Sequence, residues 1–430
     1  MNPYLFLLVV VSLGCGSLPP RETIDVYRCL AASSGLWAGW TLLSLLASRN
    51  LSLAARRGDL DPLQAAKLHE KITAAFGWLG LVVVGLIHVG FGWASMGMTS
   101  GWAESSRFLQ ACWLLAPAMT ICLSQWTTEH AYGVQMGYVA KGTRPLLDAW
   151  GHSFRSGIAW LTVPILLLMA LADGISLLPG EPWLAESAVP IAVLLFVVLL
   201  LPLALRIIFR TSPIRPDQQE WVASLLRASG IHRIRIRRWE TGGSTYNALV
   251  AGFVPPVRTL LISDRILDEL PTHQVAMIVL HEAAHVRRRH MPLRILAVVP
   301  AWAIGFGVGW LCEPSPWAQT IGLIAGVAAT MAILLVVAHR TEHDADIWAC
   351  RQAESLAAAG IRGVPDDAIQ AAECLATALR RVTFGGDPNR STWLHPSVRK
   401  RITVMREATS MNVTGGVAAA LPIRSGVAGN

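Results

Sequence analysis

Long hydrophobic runs alternate along the chain with shorter polar stretches. Most of these runs have about the 20 residues that a helix needs to cross the hydrocarbon core of a bilayer. Six are continuous, whereas 5–18 is short and 29–47 is rich in Ser and Gly. The eight runs are 5–18, 29–47, 76–98, 108–126, 157–178, 188–209, 295–312 and 317–338. This pattern predicts a predominantly α, polytopic membrane protein with about eight transmembrane helices.

The composition supports a membrane protein, because 53% of the 430 residues are hydrophobic and only 15% are charged. A soluble protein of this size could not bury that much apolar surface. No basic residue precedes the first run, so we expect an uncleaved span rather than a cleaved signal. The seven cysteines contain no C-x-x-C pair and indicate neither a disulfide framework nor a cysteine metal site.

The charged residues between the runs predict the orientation. The connection between the second and third runs carries five basic residues, whereas the one between the fifth and sixth carries Glu181, Glu186 and no base. Since Lys and Arg are retained on the cytoplasmic side, both termini are expected in the cytoplasm. The net charge of +8 then reflects topology rather than nucleic-acid binding, for which the sequence shows no motif. The oligomeric state is left open.

The order of the runs divides the chain into three regions. Residues 1–209 are predicted to form a membrane region of about six helices, and 210–410 a second domain that includes a two-helix membrane hairpin at 291–338. Residues 411–430, rich in Gly, Ala and Val, are expected to be a disordered tail. Within the second domain we predict a helix at 217–228, strands at 233–240, 245–251 and 259–263, and a helix from about Thr272.

One pentapeptide on this last helix carries candidate chemistry. His281-Glu282-Ala283-Ala284-His285 is an H-E-x-x-H sequence, and residues four apart lie on one helix face, where both imidazoles could bind one metal ion. Glu282 lies beside them as a candidate general base that is not itself a ligand.

A third ligand is predicted far along the chain. Glu342 follows His285 by 57 residues, and the intervening chain is the hairpin, which leaves the cytoplasm and returns. Catalytic zinc normally has three protein ligands, so we expect one zinc per chain held by His281, His285 and Glu342. Asp346, one helical turn further on, could accept a hydrogen bond from the outer nitrogen of a ligand His.

Further polar residues lie near this motif or within the hydrophobic runs. For His290, His339 and His343 we expect flanking or supporting roles, and for 287–289, three arginines, anchoring at the headgroup layer. The arginine face of 233–237 could meet lipid headgroups or simply be a solvated strand face. His88, Asp173 and Arg206 lie within or at the ends of runs, where each could reach the membrane surface or pair.

From about Pro216 to Ile402 the sequence resembles the membrane-embedded gluzincin zinc metallopeptidases that include the CAAX prenyl protease and the HtpX-type quality-control protease. The resemblance is carried by the stretch from Asn247 to Gly252, by the H-E-x-x-H helix, by the motif at Glu342 and Asp346, and by His395-Pro396 with an arginine six residues after the His.

The resemblance implies a cytoplasm-facing α+β zinc peptidase domain. It implies substrate binding at the edge strand of Asn247 and Ala248, with Arg401 also near the substrate, and an oxyanion contact from His395 beside the base Glu282. The expected function is a zinc-dependent integral membrane endopeptidase, in the bacterial cytoplasmic membrane, that cleaves membrane or membrane-proximal proteins. Two alternatives are a metallopeptidase-type membrane sensor, which would add an extracytoplasmic domain, and an inactive scaffold, which would lack Glu282 or a ligand.

Overall fold

The computed structural model describes residues 3–19, 21, 24–99, 101, 105–177, 191–243, 245–252, 254–383 and 387–418, without the side chains of 411–418. It is mostly helical, with one small sheet. The chain forms two compact units, the first made of Met1–Val197 and Phe306–Ile324 and the second of Val198–Gly305 and Ala325–Asn430.

Seven described helices are long and apolar enough to cross a membrane, so the prediction of a polytopic, mainly helical membrane protein is confirmed. The run predicted at 5–18 is also helical, but its helix, Pro3–Gly14, is shorter than a membrane span. Glu181 and Glu186 lie outside the described residues. The seven candidate spans are Val26–Arg57, Pro62–Gly90, Arg107–Gln135, Ala159–Ser176, Ile191–Ile208, His290–Leu311 and Ala318–Ala358.

The first unit is a set of helices around an apolar core that includes Leu8, Val84 and Ile121. Helices approach closely where Gly80 faces Ile121, since a Cβ at Gly80 would lie 2.8 Å from the Ile121 side chain. The helices are α1 (Pro3–Gly14), α2 (Val26–Arg57), α3 (Pro62–Gly85), α4 (Trp93–Met98), α5 (Arg107–Gln135), α6 (Thr143–Gly157) and α7 (Ala159–Ser176).

Asp173 lies inside a hydrophobic run of the sequence and forms hydrogen bonds with the start of another helix. Its carboxylate accepts hydrogen bonds from the backbone N–H groups of Arg107 and Phe108, both at 2.9 Å, and from the hydroxyl of Ser106 at 2.7 Å. These donors form the start of α5, whose first N–H groups have no partner within the helix. Asp173 therefore caps α5.

The second unit contains a four-stranded sheet, and helices pack on the face that carries Ile236 and Leu260. The strand order is β1-β2-β4-β3, with β2 and β4 parallel and the other pairs antiparallel. β3 is consequently an edge strand. The strands are β1 (Thr211–Ser212), β2 (Arg235–Trp239), β3 (Ala248–Ala251) and β4 (Thr259–Ser263).

The helices of this unit follow the predicted segments closely. The helix expected at 217–228 is α9, and the helix expected from about Thr272 is α11, which packs its apolar face against the sheet. The helices are α8 (Leu201–Ile208), α9 (Pro216–Ala228), α10 (Asp264–Glu269), α11 (Thr272–Arg287), α12 (His290–Leu296), α13 (Val298–Leu311), α14 (Ala318–Ala358), α15 (Ala368–Val382) and α16 (Val398–Ala418). The end of α13 and the start of α14, within Phe306–Ile324, belong to the first unit.

The long helix α14 continues well past its hydrophobic part. Its 41 residues span about 60 Å at 1.5 Å per residue, roughly twice the hydrocarbon thickness of a bilayer. It therefore contains both the second arm of the predicted hairpin at 291–338 and the start of the polar segment that follows. At the C-terminus α16 ends at Ala418, eight residues into the predicted tail, and 419–430 lie outside the described residues.

Candidate metal centre

The two histidines of the H-E-x-x-H sequence lie together on one face of α11. His281 and His285 are one helical turn apart and each is only 8% exposed. Their Nε2 atoms are 3.2 Å apart. The spacing along the helix alone brings them together, because a turn contains 3.6 residues.

Glu342 on α14 completes a triangle with these two nitrogens. Its carboxylate oxygens lie 3.5 Å from Nε2 of His281 and 3.4 Å from Nε2 of His285. Oε2 makes the first of these two contacts and Oε1 the second, and both separations are close to the roughly 3.3 Å between two ligands of a tetrahedral ion with metal bonds of about 2.05 Å. The three buried side chains form a group that could hold a metal.

His281 is oriented by a carboxylate on its far side. Its Nδ1 lies 2.9 Å from Asp346 Oδ1, so Nδ1–H donates there and the lone pair of Nε2 faces the centre. Asp346 is one turn after Glu342 on α14. It also accepts two hydrogen bonds from Arg401, at 2.8 and 2.6 Å. Burial alone would lower the pKa of His281, but the carboxylates of Asp346 and Glu342 raise it to about 10.

A second chain of contacts orients His285. Its Nδ1 lies 3.0 Å from Nδ1 of His290, whose Nε2 lies 3.0 Å from Asp344. Arg288 holds the same carboxylate through two hydrogen bonds. The polypeptide changes direction at Arg289, whose φ of 56° lies in the left-handed region. This turn brings His290 back to the site. Burial lowers the pKa of His285 to about 4, which keeps the ring neutral, as a metal ligand must be.

These contacts around His285 could be predicted only in part from the sequence. His290 was expected in a flanking or supporting role, but Asp344 was not singled out. Arg288 was expected to anchor at the headgroup layer and instead pairs with Asp344.

Glu342 contacts three further cationic or polar side chains. Arg294 of α12 donates to its Oε1 at 3.0 Å, and Nδ1 of His395 and Nη1 of Arg401 lie 3.1 and 3.4 Å from its Oε2. Arg294 also donates to the hydroxyl of Thr341. Sequence reasoning missed Arg294, which has no motif around it. The cations favour the ionised carboxylate, the form that binds a metal.

His395 and Arg401 both reach the site from the C-terminal part of the chain. His395 lies in a loop held by its backbone N–H, which donates to the hydroxyl of Thr392, and its side chain remains 55% exposed. Arg401, predicted near the substrate, is 8% exposed and paired with Asp346. His339 contacts the carbonyl of Thr392 instead of the metal ligands.

Glu282 follows the first ligand on α11 and is half-buried. Burial raises the pKa of Glu282 to about 7. The charge of His281 acts to lower this pKa, and the charge of Glu342 acts to raise it. A carboxyl group with this pKa is partly ionised at neutral pH. It can therefore both accept and return a proton there.

The predicted edge-strand residues border the same helix. β3 packs beside α11 and pairs only with β4 among the described strands. Ser263 donates its N–H to the carbonyl of Asn247, the exposed residue just before β3. In an antiparallel ladder the next residue, Ala248, then directs its own N–H and C=O away from β4. That side of β3 is available for another strand.

Comparisons with known proteins gave one family match and one structural match of low similarity. Residues 216–409 match the sequence model of Peptidase family M48. The crystal structure of S. mikatae Ste24p gives a TM-score of 0.44 and 13% sequence identity, covering 89% of this chain and 100% of that one. No curated protein matches the chain.

The matched stretch contains the buried His-His-Glu group, the glutamate beside it and the edge strand, and it includes the last two of the candidate membrane spans. Members of this family are metallopeptidases, which hydrolyse peptide bonds. The chain is thus a metallopeptidase whose residues 216–409 match Peptidase family M48 and which has seven candidate membrane spans among its described helices.

Proposed function

We propose that the protein is a zinc-dependent endopeptidase that cleaves membrane or membrane-proximal proteins. The observation that carries the proposal is the convergence of His281, His285 and Glu342 on one point, with the half-buried Glu282 beside them. Two imidazole nitrogens and one carboxylate oxygen are a ligand set typical of catalytic zinc, which keeps a fourth position open. One zinc per chain is expected.

Zinc bound there would supply a Lewis acid that polarises the substrate carbonyl. Glu282 takes a proton from the attacking water and then passes it to the amine that leaves. His395 donates a hydrogen bond to the oxygen that becomes negative as the carbonyl is attacked. Its exposed side chain, beside Glu342, supports this role. Arg401 supports the site by holding Asp346, which in turn orients His281.

The substrate is proposed to bind as an extended strand along β3. Asn247 and Ala248 lie on the free edge, where main-chain hydrogen bonds bind a peptide with little regard to its sequence. Glu342 lies about 36 Å along α14 from its start at Ala318, just beyond a hydrocarbon core of about 30 Å. The site would therefore face segments that emerge from the membrane.

The proposed orientation places this site on the cytoplasmic side, in the bacterial cytoplasmic membrane. It rests on the basic residues between the second and third hydrophobic runs. The alternatives of a sensor and a scaffold remain as outcomes of the experiment below.

The decisive experiment compares Glu282→Gln with wild type for both metal content and cleavage of a casein-type substrate. Gln keeps the size of Glu but cannot take a proton, so zinc should be retained while turnover falls by roughly 100 to 10,000-fold. Glu354→Gln is a matched control, because it makes the same chemical change at an exposed position of α14. Equal cleavage by Glu282→Gln and wild type would refute the mechanism. Zinc binding without cleavage by either protein would favour the scaffold or sensor.

A further inference from the structure

Three arginines lie together where α8 meets the sheet of the second unit. Arg206 is in the last turn of α8, which ends the candidate span Ile191–Ile208. Arg235 and Arg237 are in β2. The charges of these two residues are close enough to that of Arg206 to repel it.

The pleat of β2 explains this arrangement. Ile236 is buried in the core on one face of the sheet, so Arg235, Arg237 and Trp239 point to the other face. On that face the ring of Trp239 packs against Phe209, with centroids 4.6 Å apart. Phe209 directly follows α8. The end of the membrane span is therefore held against the arginine-bearing face of the sheet.

Among the described residues, this cluster has no counter-charge. In the part of the chain that the structure describes, no carboxylate pairs with Arg206, Arg235 or Arg237, and the buried Nε atoms of Arg206 and Arg237 have no acceptor. Arg238, on the opposite face of β2, forms an ion pair with Asp268 at 2.6 Å. Burying guanidinium N–H groups without acceptors is costly, so a bound anion would stabilise the cluster.

We propose that Arg206, Arg235 and Arg237 bind the phosphate of an anionic phospholipid headgroup. The guanidinium fork matches phosphate oxygens, and the end of a membrane span is the depth at which headgroups lie. Neighbouring apolar side chains of α8 are exposed, among them Ile207 at 80%, and would contact the acyl chains. β4 separates β2 from the edge strand β3, so this site is distinct from the proposed substrate edge.

The test measures lipid binding rather than cleavage, so it does not depend on the proposed peptidase mechanism. Purified wild-type protein and Arg206→Gln/Arg237→Gln would be placed in phosphatidylcholine nanodiscs containing a fluorescent phosphatidylglycerol, and energy transfer from the tryptophans would report binding. A basic residue near an anionic surface contributes about 1 kcal/mol, or about five-fold, so two substitutions should weaken binding about 25-fold. Arg227→Gln/Arg362→Gln, at exposed positions of the same unit, is the matched control and should bind as wild type does.

Three results would overturn the proposal. One is equal binding by wild type and Arg206→Gln/Arg237→Gln, and another is equal retention of phosphatidylglycerol and phosphatidylcholine by wild type. The third is displacement of the lipid by millimolar inorganic phosphate, which would assign the cluster to free phosphate. If the glutamine variant does not fold, Arg206→Lys/Arg237→Lys keeps the charges but loses the planar forks. It should bind phosphatidylglycerol several-fold more weakly than wild type, and undiminished binding would equally count against the site.

Discussion

Each imidazole of the metal centre is held by a contact on its far side. His281 is held by Asp346, and His285 by His290, which Asp344 holds in turn. Such outer contacts fix the ring orientation and the nitrogen that carries the proton. They also mean that the metal affinity of this protein should depend on residues that never touch the metal.

At the scale of single ligands, Glu342→Gln should abolish stoichiometric metal binding. Two imidazoles alone leave a tetrahedral site underfilled, so zinc affinity should fall by more than about 100-fold. The measurement is zinc content of the purified protein by elemental analysis. Glu354→Gln serves again as the control, and full zinc occupancy in Glu342→Gln would remove this residue from the site.

The His285–His290 contact leads to a second prediction. His290→Ala should weaken zinc binding by about 10 to 100-fold while leaving the fold intact, because it removes the acceptor that orients a ligand. A competition titration with a zinc chelator measures this. His343→Ala is the matched control, since neither ring nitrogen of His343 has a hydrogen-bond partner. Equal affinities for the two variants would show that His290 does not position His285.

The pKa of Glu282 predicts the pH dependence of cleavage. Burial raises this pKa to about 7, whereas a nearby divalent cation would favour the carboxylate and lower it. Since the base acts in its ionised form, kcat/KM should rise with pH and level off at or below about pH 7. Zinc content must be measured at each pH, because protonation of His281 competes with the metal. A rate that increases towards pH 5 would contradict the assignment.

At the scale of elements, the edge strand β3 would place the proposed substrate, and the long helix α14 carries Glu342, the proposed third ligand. α14 is continuous from the hydrophobic hairpin through Glu342 to Ala358. Glu342 therefore lies on the same continuous helix as a candidate membrane span. β3 borders α11, so a peptide added to this edge would lie next to the ligand histidines.

The free edge of β3 can be tested by removing one backbone donor. Proline is tolerated on an edge strand where the N–H faces outward, so Ala248→Pro should fold but lose one hydrogen bond to the substrate. We expect KM to rise several-fold with little change in zinc content. Ala248→Gly retains the N–H and is the control. An unchanged KM in Ala248→Pro would mean that peptides do not pair with this part of the edge.

At the scale of the whole molecule, the membrane topology must bring Glu342 to the side on which His281 and His285 lie. A topology reporter fused after Ser315, in the turn between α13 and α14, should lie outside the cytoplasm, and one fused after Gly363 inside. The motivation is the basic connection between the second and third runs. Both reporters on one side would mean that the hairpin does not cross the membrane.

The local sequence was enough to predict several structural features of this protein. The hydrophobic runs predicted the spans, helical spacing brought His281 and His285 together, and the alternating residues of 233–240 predicted β2. Each of these features depends on how side-chain directions repeat within one helix or strand. Residues that are close in sequence set this repeat directly. The third ligand, 57 residues away, could be expected only through the crossing of the hairpin and the family resemblance.

Tertiary structure alone decided the rest. The pairing of β2 with β4 in parallel, the contacts of Arg294 with Glu342 and of Asp344 with His290, and the meeting of Arg206 with Arg235 and Arg237 all join separate elements. The repeat of polar and apolar residues in a helix or strand does not indicate which other elements it contacts. Those contacts depend on how apolar faces pack throughout the fold. An arginine in the sequence therefore looks the same whether it holds a metal ligand, pairs with an acid or faces a headgroup.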